Sequence, residues 1–294
     1  MRSASRHSLK TMPPLSHHLK HDTPRLQHAL ELDFSTARIE VQCLLQHVLR
    51  VNRAYLMTYP ERVLDAAELS TYNALLNRRL QGEPMAYLLG EREFYGLMFN
   101  VTTATLIPRP DTELLVELAL TRIPHGQPCR VLDMGTGSGA IAVSLAYHRP
   151  AAEVTAVDAS PDALAVAQGN ANRWLKKGNL RGLPSNWFSA LDGERYHVIV
   201  SNPPYIRAAD PHLQQGDVRH EPLTALASGD DGFSDLRQII SHAPAHLHPD
   251  GWLLLEHGYD QAAEVRALLQ QAGFKGIFSE RDLGGIERVT GGRV

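Results

Sequence analysis

Arg130-Val131-Leu132-Asp133-Met134-Gly135-Thr136-Gly137-Ser138-Gly139-Ala140-Ile141-Ala142-Val143 reads as strand, glycine turn and helix. The apolar run before the glycines is short enough for a buried strand. Glycines let the backbone approach a ligand closely, and the helix behind them offers free N–H groups at its N-terminus. Taken alone the turn is ambiguous: with Ala140 in the last position it also satisfies the loose Gly-x-Gly-x-x-Gly/Ala dinucleotide pattern.

Working outward, a second strand from Glu153 ends in Asp158, one strand beyond the turn. A carboxylate there can hold a ribose hydroxyl pair, a feature that dinucleotide enzymes and S-adenosylmethionine enzymes share. It can also cap a helix near Pro161, as Ser160 can. Asp133 can accept hydrogen bonds within the loop or from a ligand amine. A third strand is expected around Leu180–Leu183, followed by Trp187-Phe188, where an aromatic either covers an adenine ring or packs at an edge.

A fourth strand, His197-Val198-Ile199-Val200-Ser201, is cut off by Asn202-Pro203-Pro204-Tyr205. Two consecutive prolines cannot continue a ladder, because neither has an N–H to donate. In open α/β sheets ligands bind beyond the carboxyl ends of the strands. A hydride-transfer enzyme has no need of this turn, whereas an enzyme that methylates a planar, weakly basic nitrogen does. The Asn202 side-chain oxygen and the Pro203 carbonyl can each accept one N–H, and Tyr205 can stack on the flat group. The catalytic work is positioning, together with stabilisation of positive charge developing on nitrogen. It requires neither a metal nor a covalent intermediate.

The 294 residues suffice for one large domain plus a small one. At 43% hydrophobic and 21% charged the composition is that of a soluble globular protein. The net charge of -3 argues against holding nucleic acid by bulk electrostatics. Cys43 and Cys129 have no metal-ligand spacing and read as small buried hydrophobes, which fits a reducing, cytoplasmic setting. No apolar run approaches the ~20 residues of a membrane span. His242, His246 and His248 lack an accompanying acidic motif, so a solvated face is expected rather than a metal site.

Residues 1–22 are basic, serine-rich and broken by Pro13-Pro14, so a disordered leader is expected, with Met12 as a second candidate start and solvated His17, His18 and His21. Residues 23–90 read as a helical bundle. Val41, Leu44, Leu45, Val48 and Leu49 form one helical stripe, and Leu69, Tyr72, Leu75, Leu76 and Leu80 another, opened by an Asp65/Glu68 capping box. Residues 91–109 read as a hairpin linker, with Gly96 and Asn100 as turn candidates. In Ile107-Pro108-Arg109-Pro110-Asp111, Asp111 is placed to cap the next helix, and Arg109 either aims at the active site or lies on the surface. Residues 110–294 complete the larger domain. They include a helical segment over 230–248, a fifth strand over 251–256, a helix over 261–271 and a closing antiparallel hairpin. The expected class is α/β, with a Rossmann-like, doubly wound sheet behind a helical bundle.

Several stretches together resemble one family. Beside the glycine turn and Asn202-Pro203-Pro204-Tyr205 these are Gly82-Glu83-Pro84, Gly90-Glu91-Arg92-Glu93-Phe94, Ile107-Pro108-Arg109-Pro110-Asp111-Thr112-Glu113 and Glu221-Pro222-Leu223-Thr224-Ala225-Leu226. The chain from about residue 23 is similar to the bacterial release-factor glutamine N5-methyltransferases (the PrmC/HemK family). The resemblance implies a seven-stranded methyltransferase sheet whose last strand is antiparallel. It implies methyl transfer from S-adenosylmethionine to the glutamine side-chain amide of the Gly-Gly-Gln motif in class 1 peptide chain release factors. Gly135, Thr136, Gly137, Ser138, Gly139, Asp158 and Trp187 would contact the cofactor. Asn202 to Tyr205 would hold the glutamine, with Asn202 also near the cofactor. The helical domain would help to grip the release factor, with no stable nucleic-acid or membrane partner. Ser138, Tyr95, Arg207 and His220 depart from the family pattern, the last two on the substrate side.

Three other readings stay in view. A nucleic-acid methyltransferase acting on adenine or guanine amino groups needs the same turn, but should bring a basic groove. A nicotinamide-dependent oxidoreductase shares the glycine turn. A non-catalytic binding protein would not need Asn202 and Tyr205.

Overall fold

The computed structural model describes residues 12–176 and 178–294. Two compact units divide between Leu89 and Gly90.

The first unit is helical: α1 (Leu15–Leu30), α2 (Phe34–Leu49), α3 (Arg53–Thr58), α4 (Ala66–Leu80) and α5 (Met85–Leu89). Asp33 and Asn52 cap α2 and α3 by accepting the N–H of Thr36 and Tyr55. The Asp65/Glu68 capping box forms as expected, with both hydrogen bonds at 2.8 Å. Val41, Leu44, Leu45, Tyr72, Leu75 and Leu76 are buried in one core, as their helical spacing requires.

That core begins earlier than expected. The leader expected over 1–22 is helix from Leu15 onward, and its first eleven residues lie outside the described ones. The physical reason is the stripe Leu15, Leu19, Leu26 and Leu30, which runs through Pro24 and the histidines. His18 is buried rather than solvated. Its ring nitrogen meets the Asp22 carboxylate at 3.3 Å, and the Tyr72 hydroxyl donates to the same carboxylate at 2.8 Å. Cys43 is only half-buried, whereas Cys129 is buried.

The second unit opens on the hairpin β1 (Glu91–Phe94) and β2 (Leu97–Asn100). Tyr95 and Gly96 turn it with φ of 50° and 76°, the two left-handed residues a tight hairpin needs. Asn100 does not turn the chain. It ends β2, and its backbone N–H and C=O both bond the Asn170 side chain, at 2.8 and 2.9 Å. Phe94, Leu97 and Phe99 enter the core of this unit, so the hairpin is part of it.

The remaining elements are α6 (Glu113–Leu120), β3 (Cys129–Met134), α7 (Ala140–His148), β4 (Ala152–Asp158), α8 (Pro161–Trp174), β5 (Leu180–Pro184), β6 (Tyr196–Ser201), α9 (Ser234–His242), β7 (Leu247–Glu256), α10 (Ala262–Gln271), β8 (Lys275–Arg281) and β9 (Glu287–Arg293). The helical segment expected over 230–248 is therefore shorter, because Leu247 and His248 already belong to β7. Asp111 does not cap α6; it lies in a 3-10 turn, and its carboxylate pairs with Arg288 at 3.7 Å.

The seven-stranded sheet has the order β5-β4-β3-β6-β7-β9-β8, with β9 antiparallel to both neighbours. Alternate residues feed opposite faces. Val131, Val198, Val200 and Leu254 join one core, and Leu132, Ile199, Leu253 and Leu255 the other. Burial on both faces explains the unbroken apolar runs. The chain moves from β3 outward through β4 to β5 and then returns to β6 on the other side. The gap between β3 and β6 is thus the switch point at which such sheets bind ligands. No described helix is long and apolar enough to cross a membrane.

Candidate active site

At the switch point Met134 pairs with Ser201, so Gly135 and Asn202 leave the sheet side by side. The Ser201 hydroxyl donates to the Met134 carbonyl at 2.7 Å, which ties the two strand ends together. Beyond them opens a cavity of about 530 Å³, within the usual range for small-molecule sites.

Gly135, Gly137 and Gly139 all have positive φ, at 68°, 55° and 79°. Such a run of left-handed residues is open to glycine and costly for other L-residues. Gly135, Thr136, Gly137 and Ser138 line the cavity. Gly139 serves the packing instead: a Cβ there would lie 3.0 Å from Ala167 Cβ, so the glycine lets α7 and α8 approach.

Asp133 serves the loop. Its Oδ2 accepts from the Thr136 hydroxyl at 2.6 Å and from the Ala142 N–H at 3.2 Å. An internal carboxylate thereby occupies the anion position at the N-terminus of α7. Burial raises this carboxyl to about 7, against the lowering effect of those two hydrogen bonds. Its Oδ1 is buried without a hydrogen-bond partner among the described residues.

Asp158 lines the cavity from the end of β4. One oxygen accepts the Gly137 N–H and the other the Ser160 N–H, both at 2.9 Å. The carboxylate is therefore fixed, and the Ser160 side chain caps α8. Trp187 forms a further wall. Its backbone is left-handed, with φ of 50°, and its indole N–H donates to Asp235 at 3.1 Å. The ring lies in van der Waals reach of a Cβ built on Gly135. Phe188, its neighbour, is buried in the core and stacks on His246.

The four residues after β6 divide. Asn202 and Pro204 line the cavity, and Pro203 is buried. The Tyr205 hydroxyl turns to the Glu256 carboxylate at 3.4 Å. The Asn202 amide nitrogen donates to the Thr112 hydroxyl at 3.2 Å. Glu256 is fully buried at the end of β7. Burial raises its carboxyl to about 7, while Thr112 and Arg288 favour the ionised form and Asp111 opposes it.

Arg109 also faces the cavity and pairs with the buried Glu221 carboxylate, whose second oxygen accepts the Ile107 N–H at 3.0 Å. The two motifs Ile107–Asp111 and Glu221–Leu226 are thus clamped together, which puts Pro222, Thr224 and Ala225 in the wall.

A model of the PrmC N-terminal domain matches residues 24–90, and one of the methyltransferase small domain matches residues 110–218. The release factor glutamine methyltransferase of Salmonella typhimurium is 51% identical over 261 residues, which cover 89% of this chain and 94% of that protein. The chain belongs to the release factor glutamine methyltransferase family. The Burkholderia pseudomallei member of the family is 52% identical over 275 residues, covering 92% of this chain and 95% of its own. A methyltransferase structure from Pyrococcus furiosus is 18% identical, with a TM-score of 0.51 over 74% of this chain and 96% of its own, a likeness of fold alone.

Within this family member the sequence reading overlooked Thr112, Asp235 and Glu256 as parts of the site. Thr112 and Glu256 lie inside stretches read as cap and strand. Asp235 stands 48 residues from the Trp187 it holds, with no local signal.

Proposed function

We propose that this protein transfers a methyl group from S-adenosylmethionine to the side-chain amide nitrogen of the glutamine in the Gly-Gly-Gln motif of class 1 peptide chain release factors. The observation that carries the reading is the pairing of Met134 with Ser201. It sets the glycine turn and the Asn202 amide on one cavity.

The residues present fit the cofactor. Asp158, Asp162 and Asp235 line the cavity, against Arg109 as the basic group. That balance suits a ligand with a cationic centre and opposes the pyrophosphate of a dinucleotide. The helix N-terminus that would bind pyrophosphate already holds Asp133. Asp158 would hold the ribose hydroxyls, Trp187 would cover the adenine, and the glycine turn would lie against the rest. When bound, S-adenosylmethionine supplies an electrophilic methyl on sulfur.

The chain's own work is on the acceptor nitrogen. An amide nitrogen has a delocalised lone pair and attacks only when held and oriented. The Asn202 side-chain oxygen and the Pro203 carbonyl would each accept one N–H of the glutamine. Both carry partial negative charge where the nitrogen becomes positive, which favours the transition state over the ground state. Pro203 and Pro204 stiffen the turn that presents these acceptors. Tyr205, held through its hydroxyl, would present its ring edge or face to the amide plane only from that fixed position. The helical unit would help to recognise the folded release factor.

The test is a comparison of substrates. The purified chain is incubated with methyl-labelled S-adenosylmethionine and release factor, DNA or ribosomal RNA. The reading predicts label in the release factor, lost in Asn202→Ala while cofactor binding by calorimetry persists. Label in nucleic acid alone contradicts it.

A further inference from the structure

Gln261 stands at the N-cap position of α10, yet its side chain does not cap the helix. Caps favour Ser, Thr, Asp and Asn there, and the Gln261 amide, in a residue 5% exposed, reaches elsewhere. Its Oε1 accepts the Gly258 N–H at 2.8 Å. Its Nε2 donates to the Tyr205 carbonyl at 3.1 Å and to the Gly232 carbonyl at 3.3 Å. The amide nitrogen thus faces two backbone acceptors and the amide oxygen one backbone donor, so a single orientation satisfies all three partners. The backbone leaves room for it. A Cβ on Gly258 would lie 3.1 Å from Oε1, and one on Gly232 would lie 3.0 Å from Nε2 and 2.5 Å from the Tyr205 carbonyl oxygen.

The Tyr205 carbonyl closes the turn that would hold the acceptor nitrogen. Pro203 and Pro204 have fixed φ and no N–H, so the turn has no backbone donor between Asn202 and Tyr205. The aim of the Pro203 carbonyl therefore depends on how the two flanks are held. On the β6 side the Ser201 hydroxyl bonds Met134 at 2.7 Å and the Asn202 amide bonds Thr112 at 3.2 Å. On the far side the Tyr205 N–H donates to the Leu226 carbonyl at 3.2 Å, and the Tyr205 carbonyl takes the Gln261 donor. Gly232, the other acceptor, precedes α9, whose Asp235 holds Trp187. That helix has anchors of its own. The Asp235 N–H donates to the Ser228 hydroxyl at 2.9 Å, and the Phe233 N–H to the Asp231 carboxylate at 3.0 Å. Loss of the Gln261 amide therefore frees the acceptor turn and leaves the cofactor wall in place.

We propose that Gln261 is a positioning residue for methyl transfer: by donating to the Tyr205 carbonyl it pins the far end of the turn from Asn202 to Tyr205, so that the Pro203 carbonyl keeps its aim at the acceptor nitrogen. The inference rests on the methyl-transfer reading above. Gln261 does not line the cavity and acts through the turn.

Three variants test this. Gln261→Met keeps the length of the side chain and removes donor and acceptor together. Gln261→Glu keeps the shape and the acceptor for Gly258 but, once ionised, has no hydrogen to give to Tyr205. Gly232→Ala presses a methyl onto the Tyr205 carbonyl oxygen. Each is checked for folding by circular dichroism, assayed for kcat and KM with release factor, and titrated with S-adenosylmethionine by calorimetry. The assays are run at about pH 9.5, above the range to which burial raises a carboxyl. All three are expected to lose kcat about tenfold to a hundredfold, since a displacement of about 1 Å in a positioned group costs about a hundredfold. The KM for release factor and the cofactor Kd should each stay within about twofold of the parent, because the variants leave the cavity lining unchanged. Gln261→Glu separates the donor's role from a merely structural hold on Gly258, which that variant retains.

A folded Gln261→Met enzyme with parental kcat overturns the proposal. A folded Gln261→Glu enzyme with parental kcat does so too, since the Gly258 bond would then be the whole role of the side chain, and so does a loss confined to KM or to cofactor affinity. Should neither Gln261 variant fold, Gly232→Ala decides by the same measures. A parent enzyme that leaves release factor unlabelled is a different result. It removes the methyl-transfer reading itself, whatever the variants do.

Discussion

Gly139→Ala separates the two jobs of the glycine turn. Gly139 sits at φ of 79°, and a Cβ there would stand 3.0 Å from Ala167 Cβ and 3.1 Å from Ala167 Cα. The second of these atoms is backbone, so relief requires α8 to move. The left-handed conformation costs an L-residue about 1–2 kcal/mol. Forcing a methyl into a packed contact costs about 1–3 kcal/mol more. Stiffening of the unfolded chain returns about 0.4–1 kcal/mol, so a net loss of roughly 2–4 kcal/mol is expected. Gly135→Ala is the control. Its Cβ would meet only the Trp187 ring, at 3.5 and 3.6 Å, which is ordinary contact. It should cost about 1 kcal/mol, the conformational part alone, yet it narrows the cavity and should weaken cofactor binding more than Gly139→Ala does. Urea unfolding followed by tryptophan fluorescence measures this, because Trp174, Trp187 and Trp252 all lie in the second unit. A Gly139→Ala protein as stable as the parent, or less affected than Gly135→Ala, refutes the reasoning.

Arg109→Ala leaves the buried Glu221 carboxylate with the Ile107 N–H but no counter-charge. A loss of about 3 kcal/mol is expected in the same urea assay, at the low end for a broken buried pair because Arg109 is itself one-third exposed. Asp133 predicts a pH dependence. Its carboxyl is raised from 3.8 to about 7 by burial, so between those values the folded state binds more protons than the unfolded state. Asp133 therefore contributes stability that falls as pH rises through that window and levels off above it; Glu256, raised from 4.5 to about 7, contributes in the same direction, so Asp133→Asn should reduce the downward slope without abolishing it. Urea titrations at a series of pH values check this; an unchanged slope in the variant contradicts the assignment.

Much of this was legible because the period-2 and period-3.6 patterns are local. Strand, glycine turn and helix follow one another within the stretch from Arg130 to Val143, and Asp65 with Glu68 declares a helix start over four positions. The missed features are those that depend on distant partners. Leu15 looks like part of a polar leader until Leu26, Tyr72 and Leu76 are known to share its core. Asp111 has the spacing of a cap, but Pro110 opens a 3-10 turn first, so Thr112 and not Asp111 stands at the N-cap position of α6. The place of Glu256 opposite the Tyr205 hydroxyl has no local signal in the sequence. The sequence leaves Arg109 between site and surface, and its ion pair with Glu221, 112 residues away, holds it at the cavity.

The central claim concerns one nitrogen atom. The most direct measurement is mass spectrometry of the Gly-Gly-Gln peptide from a class 1 release factor, before and after incubation with this enzyme and S-adenosylmethionine. The account predicts one added methyl, located by fragmentation on the glutamine side-chain amide and missing with Asn202→Ala. An unmodified peptide, or a methyl on any other residue, contradicts it.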